Sequence, residues 1–260
     1  MKLQASVVLL SDFGLVDAYV GILKGVLKTI NPTLDIIDLT HDIPPQNIVA
    51  ANYCLAAALP YFPEGTIYLA IVDPGVGSSR RALAIKFERG YLIGPDNGLF
   101  SRLFKNYCIE QIRELDNPKY WRVSNPSQTF HGRDIFASVA GYLSRGVDFA
   151  DLGRLLSADD LTYLPSSTYQ IQGKTIIGSI QYIDHFGNLI SNIPSEILAE
   201  RQWSVSIKGK EIAYRQNYSQ VKKGETIALI NSEKYLEIAI NQGNAQKTLQ
   251  VDYGETVIVY

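Results

Sequence analysis

The opening stretch of the chain alternates strand and helix, and this alternation limits the possible folds more than any other feature. Val7 to Leu10 is a short apolar run that reads as a buried strand, followed by the loop Ser11-Asp12-Phe13-Gly14. Tyr19, Ile22, Leu23, Val26, Leu27 and Ile30 then recur at steps of three and four, one face of an amphipathic helix that Asn31-Pro32 stops. Leu34 to Leu39 reads as the next strand. Ile48, Ala51, Leu55, Ala58 and Leu59 outline a second helix, and Thr66 to Val72 a third strand rich in β-formers. Strand, helix, strand, helix, strand is the pattern of a parallel sheet covered by helices. Ala82 to Phe87 and Tyr91 to Ile93 extend the sheet, and Gly132 to Ser144 reads as a third helix stopped by Gly146.

Beyond about residue 165 the pattern changes. Thr175 to Ile183, Trp203 to Ile207, Thr226 to Ile230, Leu236 to Ile240 and Thr256 to Tyr260 are short β-rich runs separated by turn signals such as Lys222-Lys223-Gly224. No comparable amphipathic helix follows the Pro194-Ser195 turn. The fold class expected is α/β: an N-terminal domain, residues 1–165, with a mainly parallel sheet covered by helices. A smaller all-β barrel, residues 166–260, is expected to follow, with the boundary near Pro165-Ser166-Ser167.

Composition narrows the function. A net charge of −2 without Lys or Arg runs argues against nucleic acid and anionic membranes as partners. The apolar stretch at the N-terminus is too short to span a membrane and lacks a small-residue cleavage pattern, so a cytoplasmic location is expected. The two cysteines, Cys54 and Cys108, support neither a disulfide framework nor a zinc cluster and read as semi-buried thiols.

In an open parallel sheet, ligands bind beyond the carboxyl ends of the strands. Asp12 follows the first predicted strand, His41-Asp42 the second, and Asp73-Pro74-Gly75-Val76-Gly77-Ser78-Ser79-Arg80-Arg81 the third. Phe130-His131-Gly132 opens the third helix. Gly75 and Gly77 begin a dinucleotide fingerprint that fails at Arg80, and a strand rather than a helix follows, so no helix N-terminus is available for a pyrophosphate. Asp12 has two readings: a cap on the next helix, or a carboxylate that holds both hydroxyls of a ribose. Asp17 stands where the helix dipole favours a negative charge in any case. His131 beside a helix N-terminus is expected to be neutral, though tying down a loop is the commoner task of a lone histidine. His41 reads as a loop residue and His185 as part of a turn.

At these residues the chain resembles the S-adenosyl-L-methionine hydroxide adenosyltransferases, relatives of the enzymes that fluorinate or chlorinate the same substrate. The matching segments run in order: Ser-Asp-Phe-Gly (11–14), Gly-Ile-Leu-Lys-Gly-Val (21–26), Asp-Leu-Thr-His (38–41), Val-Asp-Pro-Gly-Val-Gly (72–77), Gly-Pro-Asp-Asn-Gly-Leu (94–99), Phe-His-Gly-Arg-Asp-Ile-Phe (130–136), Asp-His-Phe-Gly-Asn (184–188) and Ile-Asn-Gln-Gly-Asn-Ala (240–245). The resemblance implies hydrolysis of S-adenosyl-L-methionine to adenosine and L-methionine, with no metal or other cofactor. It also implies a homo-oligomer, a trimer with the site at the subunit interface. It places the catalytic set on Asp73, Arg80 and His131, with Arg81 adjacent to Arg80 and separated from that role by register alone. Substrate-binding roles fall on Asp12, Asp17 and Asp73, and from the second domain on Asp184, Asn188 and Ser232, with Glu237 and Asn241 as further contacts from an alternating strand.

The chemistry suits these residue types. A sulfonium is already a good leaving group, so an aligned oxygen nucleophile in a dry site suffices. Arg80 is expected to stabilise hydroxide character on a water, His131 to accept or relay its proton, and Asp73 to orient Arg80 or the ribose. Two alternatives share the binding residues. One is a halogenase, disfavoured because Asp73 would repel a halide and Gly132 supplies no hydroxyl where the fluorinating relatives carry serine. The other is a non-catalytic S-adenosylmethionine or adenosine sensor.

Overall fold

The computed structural model describes residues 6–165, 169–198 and 203–260. Ser166 and Ser167 of the expected boundary, and Met1 to Ala5, lie outside the described residues. The chain packs as two compact units, Met1–Leu164 and Pro165–Tyr260.

The first unit opens with β1 (Val7–Ser11), α1 (Tyr19–Ile30), β2 (Ile36–Thr40), α2 (Ile48–Ala58) and β3 (Thr66–Ile71). It continues with β4 (Ala82–Phe87), β5 (Gly90–Pro95), α3 (Leu103–Asn106), β6 (Ile109–Glu114), α4 (Ala137–Ser144) and β7 (Leu155–Leu156). The sheet runs β2-β1-β3-β5-β4-β6-β7. β2, β1, β3 and β5 are parallel, while β4, β6 and β7 join antiparallel. β1 and β3 are buried along their whole length, which explains their unbroken apolar runs. α1 buries Leu23 and Leu27 in the core it shares with this sheet and packs on α4. The third predicted helix is two conformations in series: Gly132–Phe136 is a π-helical turn and α4 continues from it. Such turns are rare and frequent at functional sites.

The second unit contains β8 (Gln170–Gln172), β9 (Thr175–Ile183), β10 (Leu189–Pro194), β11 (Ser204–Ile207), β12 (Lys210–Ala213), β13 (Thr226–Ile230), β14 (Tyr235–Ile240), α5 (Ala245–Leu249) and β15 (Thr256–Val259). Its antiparallel order is β12-β11-β15-β9-β10-β14-β13, with β8 beside β9. Tyr214, just after β12, bridges Ala228 in β13, so the sheet nearly closes into a barrel. Its interior is filled by branched aliphatics including Ile176, Val205, Leu236, Ile238 and Val257.

Candidate active site

The register of the parallel strands sets the site. Ser11 pairs with Ile71, so the chain leaves the sheet at Asp12 and at Val72-Asp73 side by side. A cleft of about 410 Å³ opens there, walled by Asp12, Phe13, Tyr19, Gln46, Asp73 and His131 among others. That is within the usual range for a small-molecule site, roughly 300–1,000 Å³.

Asp73 and Arg80 form a fork: Arg80 Nε donates to Asp73 Oδ1 at 2.9 Å and Nη2 to Oδ2 at 2.5 Å. Both side chains are almost buried, Arg80 at 10% and Asp73 at 7% exposure. Arg80 Nη2 also lies 2.9 Å from His131 Nδ1, and the guanidinium sits over the Phe136 ring. Asp73 and His131 line the cleft, with Arg80 joining them from behind. Arg81 turns away. It pairs with Asp96 at 2.6 Å and donates to the Asp160 carbonyl. Of the two adjacent arginines, Arg80 is the one that contacts Asp73 and His131.

The loop carrying this fork fits closely against the His131 segment. Gly77 has φ +79°, and a Cβ there would stand 2.3 Å from the Gln128 carbonyl oxygen, so glycine is required on both counts. β4 follows the loop, in keeping with the failed dinucleotide pattern. On the other side, Asp134 is fully buried and held by Arg122, Arg133 and the Ser127 N–H, which anchors the segment from 122 to 134. The Arg133 hydrogen bond leads in holding its carboxyl far below the usual carboxylate range. Burial lowers the His131 pKa below its ordinary value, and Arg80 adds to that effect, while Asp73 and Asp134 pull the other way. His131 is therefore neutral near pH 7.

Asp12 does not cap α1, whose N-cap is Ala18 without a side-chain bond. Its Oδ2 instead accepts the Gln46 N–H at 2.8 Å, holding Gln46 at φ +65° on the cleft wall. A carboxylate has lone pairs to spare for further donors. Asp17 is exposed ahead of α1 and is not among the lining residues. His41 is a structural tie, with Nδ1 2.7 Å from Ser11 Oγ and Nε2 3.1 Å from Asp38 Oδ1. Cys54 is half-buried, but Cys108 is exposed rather than semi-buried.

The aromatic part of the cleft escaped sequence reading. Phe13, Tyr19 and Phe130 meet edge-on or tilted, with ring centroids 5.3–6.0 Å apart. The signal available was Phe13 and Phe130 each adjoining a polar residue of the site, within motifs 11–14 and 130–136.

Of the residues singled out in the second unit, Asp184 and Asn188 bond each other directly. Asp184 accepts the Asn188 backbone N–H at 2.8 Å and its side-chain amide at 2.9 Å, locking the β9–β10 turn that also carries exposed His185. Glu237 is buried on β14 and accepts the Tyr218 hydroxyl at 2.5 Å. Burial raises the Glu237 pKa, the Tyr218 hydrogen bond opposes this, and Asp184 raises it further. Asn241 donates to the Val221 carbonyl at 2.8 Å, and Ser232 is exposed in the β13–β14 turn.

Residues 7–153 match the model of the SAM hydroxide adenosyltransferase N-terminal domain, and residues 178–258 that of the C-terminal domain. The chain is 36% identical to the (R)-S-adenosyl-L-methionine hydrolase of Thermus thermophilus over 95% of its own length and 96% of that protein's. It is 35% identical to the protein of that name from Methanocaldococcus jannaschii, over 98% and 95%. A fluorinase from an Actinoplanes species is more distant, at 26% identity over 96% and 95%. A solved structure of an uncharacterized conserved protein from Thermotoga maritima superposes with a TM-score of 0.90 at 35% identity, covering 97% of this chain and 99% of that one.

Proposed function

Because the chain belongs to the SAM hydroxide adenosyltransferase family, we propose that it hydrolyses S-adenosyl-L-methionine to adenosine and L-methionine at the cleft holding Asp73 and His131. The names of the similar hydrolases point to the (R) configuration at sulfur. The observation that carries the reading is the convergence of Asp73, Arg80 and His131 at the carboxyl end of β3.

Arg80 always donates, so its 2.9 Å contact makes His131 Nδ1 the acceptor and leaves the imidazole proton on Nε2. The proposed water opens that contact. It accepts from Arg80 Nη2 and donates to His131 Nδ1. Its oxygen forms a bond to the ribose C5′ as the C5′–S bond breaks, and the electron pair stays on sulfur, giving neutral methionine. Asp73 holds the Arg80 fork, and Asp12 takes the ribose hydroxyls. In-line alignment supplies up to ~7–11 kcal/mol of barrier reduction, and the base ~10²–10⁴-fold in rate.

The binding roles proposed for Asp17, Asp184, Asn188, Ser232, Glu237 and Asn241 complete the substrate contacts, with the barrel residues supplied by a neighbouring subunit of a trimer. Support for assembly comes from the apolar surface beside the cleft, where Leu15, Val16, Tyr19 and Ile22 are 69%, 100%, 46% and 37% exposed.

Incubation with each sulfur epimer of the substrate in heavy-oxygen water, read by mass spectrometry, tests the reading. Adenosine carrying the label, with unlabelled methionine, is expected. Intact substrate would establish a sensor, and 5′-chloroadenosine formed in chloride a halogenase. His131→Ala should bind substrate and lose most turnover.

A further inference from the structure

A second cleft, of about 500 Å³, lies between α1, α4 and the segment around residue 121. Its wall combines features that no step of the proposed reaction uses. Val26 and Tyr142 give it an apolar, partly aromatic body together with Trp121. Arg122 and Arg133 stand at its edge, 39% and 30% exposed. They share one counter-charge, Asp134, so one positive charge is left over. Arg122 gives Asp134 only its Nε, which leaves the outer edge of the guanidinium for another acceptor.

The floor carries a second, independent sign of a ligand. Ser138, 1% exposed, lines the cleft, and its hydroxyl has no hydrogen-bond partner. A helical serine ordinarily bonds the carbonyl one turn earlier. Here that carbonyl, on Asp134, takes the Arg122 N–H at 2.8 Å. A buried hydroxyl without a partner costs about 1–3 kcal/mol, a cost that a bound molecule reaching it from the cleft would offset.

We propose that this cleft binds a small organic anion: a carboxylate or phosphate on the Arg122 and Arg133 edge, with an aromatic or branched apolar body against Trp121, Tyr142 and Val26. The proposal does not depend on the reaction assigned to the neighbouring cleft.

Phenyl phosphate is the probe, titrated into the full-length protein by calorimetry, with inorganic phosphate in a parallel arm. Gly25 supplies the decisive variant. It lines this cleft on α1, and a Cβ added there meets nothing within 4 Å, so Gly25→Leu fills the cleft without touching a charge. One saturable site is expected, tighter for phenyl phosphate than for phosphate, unaffected by excess adenosine, abolished in Gly25→Leu and about tenfold weaker in Arg122→Gln. No saturable binding, binding displaced by adenosine, or binding unchanged in Gly25→Leu and Arg122→Gln would overturn it.

Discussion

Arg80 Nη2 lies 2.9 Å from His131 Nδ1, which fixes the imidazole as the Nε2–H tautomer in the resting site. The proposed base is therefore masked by the group that stabilises its product. This gives a distinctive pH dependence. The His131 pKa is lowered by burial and by Arg80, so the neutral, proton-accepting form persists below its ordinary value of 6.5. kcat/KM should fall as acid protonates His131 below that value and level off above it. A rate that keeps climbing with hydroxide concentration through alkaline pH would show that the enzyme captures hydroxide and that His131 is not a base.

The neighbouring arginines separate chemistry from stability. Arg80→Lys keeps a charge but cannot bridge Asp73 and His131 with a planar fork, so turnover should drop by ~10²–10³-fold. Arg81→Ala leaves the Asp96 carboxylate, 3% exposed, without its counter-charge and with the Thr162 N–H still donating to it, and should cost about 1–3 kcal/mol of folding free energy while sparing kcat. Denaturant unfolding and steady-state kinetics on both variants check the pair. Equal kinetic losses would place both arginines in the machinery.

What was legible follows from periodicity. β1, α1, β2, α2 and β3 each repeat at their own period, and strand ends then locate Asp12 and Asp73 without further help. Arg80 and Arg81 lie in a loop, which has no period, so nothing local says which one turns toward His131. β10 is absent from the β-rich runs named from sequence, because Ser191 and Asn192 interrupt its apolar run. Both are buried, and the bonds that make this tolerable are non-local: Asn192 Oδ1 accepts the Ser179 N–H, and the Ser191 carbonyl accepts from Gln181. Phe13, Tyr19 and Phe130 meet across three separate segments, a contact only the fold creates.

Glu237 offers a test that needs no substrate. Its folded pKa is raised above the ordinary 4.5 by burial and by Asp184, against the Tyr218 bond. A raised folded value means the protonated form is favoured in the native state. Its stabilising effect is complete below 4.5 and is lost as pH rises through the folded pKa. Glu237→Gln keeps an acceptor for Tyr218 and cannot ionise. Its Tm relative to wild type should therefore move upward from acid to neutral pH. A constant difference would mean that Glu237 titrates as an ordinary carboxyl.

Val16 tests assembly. It is fully exposed, with Leu15, in the segment joining cleft residue Phe13 to α1. An apolar pair in that place gains nothing from water, and a neighbouring subunit laid over it would close the cleft and bring the barrel contacts to it. Val16→Asp would bury an unpaired charge in such an interface but costs an isolated chain almost nothing, because the residue packs on nothing there. Sedimentation should show wild type as a trimer and the variant shifted toward monomer, with unchanged helical content and a sharply raised KM. A variant that remains trimeric with wild-type KM would place the interface elsewhere, and a monomeric wild type with full activity would make the cleft complete within one chain.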